Sequence, residues 1–175
     1  MRLAILAAAV AALPLAAVSA QEIGIMKVGF ADLKDAAGAD AGSALFRPGP
    51  EGLLVRIEAS GLTPGWHGVH LHETGNCADG AEGFEGAGSH AGNGDETPHG
   101  LLHPGGPEAG DLPNLFAAAD GSAKAEFYLA GATLDTLLDA DGTALVIHAQ
   151  EDDHTSQPIG GAGARVSCGV LQLAQ

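Results

Sequence analysis

The sequence predicts an all-β domain, a sandwich or barrel of about eight short strands. Three observations lead there. Helical periodicity is almost absent, while 27 glycines and 9 prolines punctuate 175 residues. Short runs of alternating apolar and polar residues lie between turn clusters. No strand–helix–strand alternation appears, which excludes a parallel α/β sheet.

The chain opens with a segment outside that fold. Arg2 supplies a short positive flank, Leu3 to Val18 is an apolar run, and Val18-Ser19-Ala20 is a small-residue cleavage site. This is the pattern of a secretory signal peptide over residues 1–20, followed by a single domain over 21–175 that starts at Gln21. The run is too short and wrongly flanked for a resident membrane helix. No cysteine near the cleavage site could carry a lipid anchor. The two cysteines, Cys77 and Cys168, both fall in the exported part, where a disulfide is the natural state. It would close a loop of about 90 residues, worth roughly 4 kcal/mol in chain entropy.

The strands follow in order. Met26 to Lys34 alternates loosely, as a half-buried strand does. Ala41 to Phe46 is a second strand, ended by the turn cluster Pro48-Gly49-Pro50-Glu51-Gly52. Leu53 to Ala59 places Val55, Ile57 and Ala59 on one face, and Leu62-Thr63-Pro64-Gly65 turns into the next strand. Leu112 to Ala118 and Ala123 to Leu129 form a hairpin across Ala119-Asp120-Gly121-Ser122, where Asp-Gly is a strong turn signal. Thr133 to Leu138 is one helical turn, Thr143 to His148 a strand, Glu151 to Gly163 a loop, and Ala164 to Leu173 the last strand.

Chemistry concentrates in Gly65 to Cys77, which holds His67, His70 and His72. On a strand, His70 and His72 share one face, while His67, Val69 and Leu71 take the other. The strand thus has an apolar side and a side presenting two imidazoles at fixed separation, a donor pair suited to copper, zinc or iron. From Ala78 to Gly110 strand patterning collapses: these 33 residues hold ten glycines, three prolines and the histidines His90, His99 and His103. A structureless stretch of this length in a compact domain is disordered or functional. Histidines beside a His-x-His strand favour function, with a metal supplying the cross-links that apolar contacts cannot. Formal net charge is −15, from 22 acidic and 7 basic residues. Such a chain is not built for phosphate contacts, so nucleic acid is excluded as a partner.

In order and at matching spacing, His67-Gly-Val-His70-Leu-His72, Gly-Ser-His90, His99-Gly, Gly-Asp111-Leu-Pro, Val-Ile-His148 and Gly-Ala-Arg165-Val-Ser-Cys168-Gly resemble the copper-zinc superoxide dismutases of the exported bacterial kind. The resemblance runs from about Lys27 to the C-terminus. It implies a flattened Greek-key barrel of antiparallel strands with two long functional loops, copper and zinc ions as cofactors, superoxide as substrate, no membrane anchor and a periplasmic location. Whether the protein is a monomer or a homodimer stays open, as does Trp66, a contact surface or a core residue. Carried over by position, His70, His72, His90 and His148 are copper ligands, and His90 also bridges to zinc. His99 and Asp111 are zinc ligands. His67 binds no metal, in agreement with its parity. Asp152 links a copper ligand to a zinc ligand by hydrogen bonds, Arg165 attracts the anionic substrate, and His154 is a surface residue. His90 doubles as a catalytic group, a bridging ring able to leave copper on reduction and return a proton to peroxide.

One position departs from the family pattern. Glu108 stands where the family has a third zinc histidine, nine residues after His99 and three before Asp111. The expected zinc set is His90, His99, Asp111 and Glu108. His103 is the alternative fourth ligand, and a weakened zinc site is the third outcome. A non-enzymatic copper-binding or copper-delivery protein on the same fold is the competing function. Such a protein typically lacks a copper ligand or the arginine, both present here.

Overall fold

The computed structural model describes residues 27–92 and 97–174. The expected signal peptide and its cleavage site lie outside the described residues. Ten strands make one antiparallel sheet: β1 (Gly29–Asp35), β2 (Asp40–Gly49), β3 (Gly52–Ala59), β4 (Gly65–His67), β5 (Val69–His72), β6 (Leu115–Ala117), β7 (Ala123–Ala130), β8 (Ala144–His148), β9 (Arg165–Val170) and β10 (Gln172–Leu173). The order is β4-β6-β7-β3-β2-β1-β9-β8-β5, with β10 beside β1. The two end strands, β4 and β5, are consecutive in sequence and separated only by Gly68. The sheet therefore curls into a nearly closed antiparallel barrel, the all-β class the sequence predicts and the barrel form its resemblance implies.

The strand count exceeds the expected eight because two predicted strands are interrupted. Gly68 breaks the histidine strand, turning its amide to Gln150 O (2.7 Å) and its carbonyl to His148 N (2.9 Å). A Cβ there would meet Ala162 Cβ at 2.8 Å, so only glycine fits. Leu171 separates β9 from β10 by sending its amide to Thr143 O. Two predicted boundaries also move. Pro48 and Gly49 belong to β2 and pair with Leu53 and Gly52, leaving Pro50-Glu51 as a two-residue turn. The strand expected from Leu112 shortens to β6, because the Asp111–Asn114 stretch serves the loops instead. The helical turn α1 (Leu134–Leu137) is nucleated by a capping box in which Thr133 Oγ1 accepts from Thr136 N.

Alternate residues point inward, and Leu33, Phe46, Val55, Ile57, Val69, Leu71, Leu115, Leu145 and Ile147 close the core. Val69 and Leu71 are therefore on the apolar side, as their parity requires. A second, smaller cluster of Phe84, Ala87, Ala144, Val146 and Cys168 fastens the start of the long β5–β6 loop to the outside of β8 and β9. The Cys77–Cys168 disulfide, with Cα atoms 5.7 Å apart, ties the same loop to β9. Trp66 is half exposed with its ring edge against Phe116, centroids 4.9 Å apart, so it is not a core residue. No helix among the described residues is long and apolar enough to cross a membrane.

Candidate metal centre

Four imidazoles converge where β5, β8 and the β5–β6 loop meet. His70 and His72 come from β5, His148 ends β8, and His90 is carried in by a bridge pairing with His72. Each ring uses one nitrogen to fix its orientation. His70 Nε2 bonds Asp152 Oδ2 (2.8 Å), His72 Nδ1 bonds Gly88 O (2.9 Å), and His148 Nδ1 bonds Gly163 O (3.1 Å). The opposite nitrogens, His70 Nδ1, His72 Nε2 and His148 Nε2, are buried without a partner, and so is His90 Nε2. Each of the four residues offers a ligand atom within 4.8 Å of all the others. Buried polar atoms without partners are costly and rare. Four that converge from oriented rings form a set that could hold a metal that prefers imidazole. Burial drives His70 down to about 4, against its bond to Asp152, and His148 and His72 down to about 3 and about 2. All three rings are thus neutral at pH 7, with lone pairs free to coordinate.

A second donor set backs onto the first through His90. His90 Nδ1 lies 2.9 Å from Glu108 Oε2 and 3.4 Å from Asp111 Oδ1. His99 Nδ1 lies 2.7 Å from Asp111 Oδ1 and 3.7 Å from Glu108 Oε2. A tetrahedron with bonds of ~2.0 Å has edges of about 3.3 Å, and these four separations, 2.7 to 3.7 Å, are of that size. His90, His99 and Asp111 also group with His70, each offering a donor atom within 4.8 Å of the others. Asp111 is set by its other oxygen, which accepts from Gly100 N (2.7 Å) and Glu108 N (2.9 Å). That second bond brings Glu108 into register. His103 makes no hydrogen bond or ion pair with this set among the described residues, and its Nδ1 accepts from Gly105 N. Burial opposes charge on His99, but its bonds to Asp111 and Asp152 outweigh burial and hold the ring up at about 10. Against burial, bonds from His90 and His99 keep Asp111, and bonds from His70 and His99 keep Asp152, well below the usual carboxylate range. Burial, with the nearby Asp111 charge, raises Glu108.

Asp152 joins the two sets: Oδ2 accepts from His70 Nε2 and Oδ1 from His99 Nε2 (3.1 Å). Gly160 makes room for it, since a Cβ there would lie 1.6 Å from Asp152 Oδ1. Half-buried Arg165 donates from Nη1 to Phe84 O (2.6 Å) and from Nη2 to Gly88 O (2.7 Å), sharing the latter with His72. His67 bonds His148 O and Thr63 O and is turned away from both sets.

A profile of the family described as copper/zinc superoxide dismutase (SODC) matches residues 40–171. The chain belongs to this family. A copper-zinc superoxide dismutase of Caulobacter vibrioides is 51% identical over 141 residues, covering 77% of this chain and 80% of that protein. Another from Deinococcus radiodurans is 38% identical over 152 residues, covering 81% and 82%. Among solved structures, the copper/zinc superoxide dismutase of Brucella abortus has a TM-score of 0.68 at 30% identity, covering 83% of this chain and 99% of that one. A superoxide dismutase-like protein of Bacillus subtilis has a TM-score of 0.75 at 36% identity, covering 82% and 97%.

Of the residues singled out in the sequence, the structure brings His70, His72, His90 and His148 together, and His99 and Asp111 together with His90, with Glu108, Asp152 and Arg165 alongside. Three contributors were not legible. Asn114 grips the backbone of Asp152 through Oδ1 and Nδ2. Gln157 clamps His99, accepting from its amide and donating to its carbonyl. His154, expected at the surface, is part-buried against Asn114. The partners lie 38 to 58 residues apart, and no local pattern joins them.

Proposed function

We propose that this chain catalyses the dismutation of superoxide to dioxygen and hydrogen peroxide, with copper held by His70, His72, His90 and His148 and zinc by His90, His99, Asp111 and Glu108. Copper supplies the one-electron redox cycle, and zinc supplies structure. The carrying observation is the convergence of four buried imidazole nitrogens that have no other partner. Arg165 provides the cation that draws the anionic substrate in. Its two carbonyl contacts fix the guanidinium plane against the loop that also orients His72. His90 is the catalytic ring shared by the two sets, and Nε2 is the atom on which a proton can be held and passed to the product. Asp152 holds His70 and His99 in fixed tautomers with their coordinating nitrogens turned inward. Export to the periplasm follows from the leader and agrees with the Cys77–Cys168 disulfide.

The test is superoxide consumption by the copper- and zinc-loaded protein beside His70→Ala and His148→Ala. Activity should depend on copper and be lost in both variants. Full activity in a copper-stripped sample refutes the reading. Stoichiometric copper binding without activity points instead to copper carriage. N-terminal sequencing of the exported product should begin at Gln21.

A further inference from the structure

His154 contributes more than its sequence position suggests. It adopts φ 59, a left-handed conformation rare for a side-chain-bearing residue. That backbone aims three groups at three partners. Its amide donates to Asp152 Oδ1 at 2.7 Å. Its carbonyl accepts from Leu102 N, in the other long loop, at 3.0 Å. Its ring meets Asn114, with Nε2 3.1 Å from Asn114 Nδ2.

The hydrogen-bond pattern then sets the ring's tautomer. Asn114 Oδ1 accepts from Asp152 N, so its Nδ2 is the end facing Asp152 O and His154. An amide nitrogen only donates, so His154 Nε2 accepts. In the neutral ring the proton therefore sits on Nδ1, which is buried, has no hydrogen-bond partner, and lies 3.4 Å from Asp152 Oδ2. A buried N–H beside a carboxylate attracts it even at this distance. Asp152 is thus met at both oxygens by one residue: the His154 amide donates to Oδ1, and the His154 ring faces Oδ2 at 3.4 Å. The same two oxygens serve His99 and His70.

We propose that His154 is a positioning residue for the metal centre: through Asn114 and Leu102 it clasps the two long loops together and locks the Asp152 carboxylate in the single orientation that serves His70 and His99. This inference rests on the function proposed above. Without the ring, Asp152 Oδ2 keeps its bond with His70 but loses the His154 ring facing it, so the carboxylate is held less firmly for both histidines.

The test compares the copper- and zinc-loaded full-length protein with His154→Gly and His154→Asn. Glycine keeps the amide bond to Asp152 and favours the positive φ, so the loop backbone is not strained by the change. Zinc transfer to a chelator should run about tenfold faster in His154→Gly, as expected when an outer partner of metal ligands is lost. The Cu(II) electron paramagnetic resonance parameters should shift with it. The metal-free variant should melt no lower than the metal-free parent. His154→Asn tolerates the conformation and offers an amide N–H, so it should recover part of the zinc retention. Parental zinc release with an unchanged copper spectrum in His154→Gly overturns the proposal. So does a fall in metal-free melting temperature that matches the loss in the loaded protein, which would mark a merely structural role. A parent that takes up neither metal overturns the proposed function beneath it. A parent that binds both, with an unaffected variant, overturns this inference alone.

Discussion

Glu108→Ala should cost the protein its zinc before its copper. Glu108 Oε2 is 2.9 Å from His90 Nδ1 and 3.7 Å from His99 Nδ1, which is why it is proposed as the fourth zinc donor. Deleting it removes one of four donors and one of two negative charges. Breaking a buried charge pair costs about 3–5 kcal/mol. The Glu108 side chain is 20% exposed, so a replacing water recovers part of that and the lower figure applies. About 3 kcal/mol corresponds to roughly a hundredfold loss of zinc affinity. Copper should change little, because His90 Nε2 faces the other set and none of the other copper-set nitrogens touches Glu108. The assay is competition for zinc against a chromophoric chelator, with melting temperature in parallel, for Glu108→Ala beside His103→Ala. His103→Ala should match the parent, since among the described residues its ring bonds only Gly105 N. Zinc loss in His103→Ala with retention in Glu108→Ala would invert the assignment. A parent that never binds zinc stoichiometrically would refute the proposed zinc set altogether.

Arg165→Ala should retain copper and lose roughly tenfold in rate, since one charge about 4 Å from an anion is worth ~1 kcal/mol in water and more when partly shielded. The gap between parent and variant should narrow as salt rises, and identical rates and salt dependence would dismiss the steering role. The stability of the metal-free protein should peak near pH 6.5. His70, His72 and His148 have folded values below their ordinary 6.5, so the unfolded chain takes up protons they refuse and stability falls as pH drops toward about 4. His99 has a folded value raised to about 10, so its contribution is complete below 6.5 and is lost as pH rises through about 10. A melting temperature that is flat between pH 4 and pH 9 would contradict both assignments.

The histidine strand was readable because strand parity is a local rule: His70 and His72 had to share a face, and His67 had to leave it. The three-residue offset of Glu108 from Asp111 was readable and survives as a tight turn, closed by Asp111 N to Glu108 O at 3.2 Å, which sets Glu108 beside His90. The break at Gly68 was not readable. Gly-Val-His looks like uninterrupted strand, and only the approach of Ala162 from a loop some ninety residues onward forbids a side chain there. Pro48 and Gly49 look like turn residues, yet β3 pairs with them and cross-strand pairing overrides local preference. His154 sits among acids in a loop and reads as solvated. Its role depends on Asn114, 40 residues upstream, which a single sequence does not place beside it.

The outer edge of β5 has a consequence beyond metal chemistry. It is not paired with another strand but with the metal-bearing loop: Leu71 donates to Gly110 O and accepts from Ala91 N, flanked by the bridges of His70 with Asp111 and His72 with His90. The loop thus acts as a surrogate neighbour that keeps backbone donors and acceptors from meeting another molecule. Should it loosen when metals leave, Val69 to His72 becomes an open template for strand addition. Stripped protein should then self-associate while its barrel is still folded, so its shelf life would be set by chelators and concentration rather than by melting temperature.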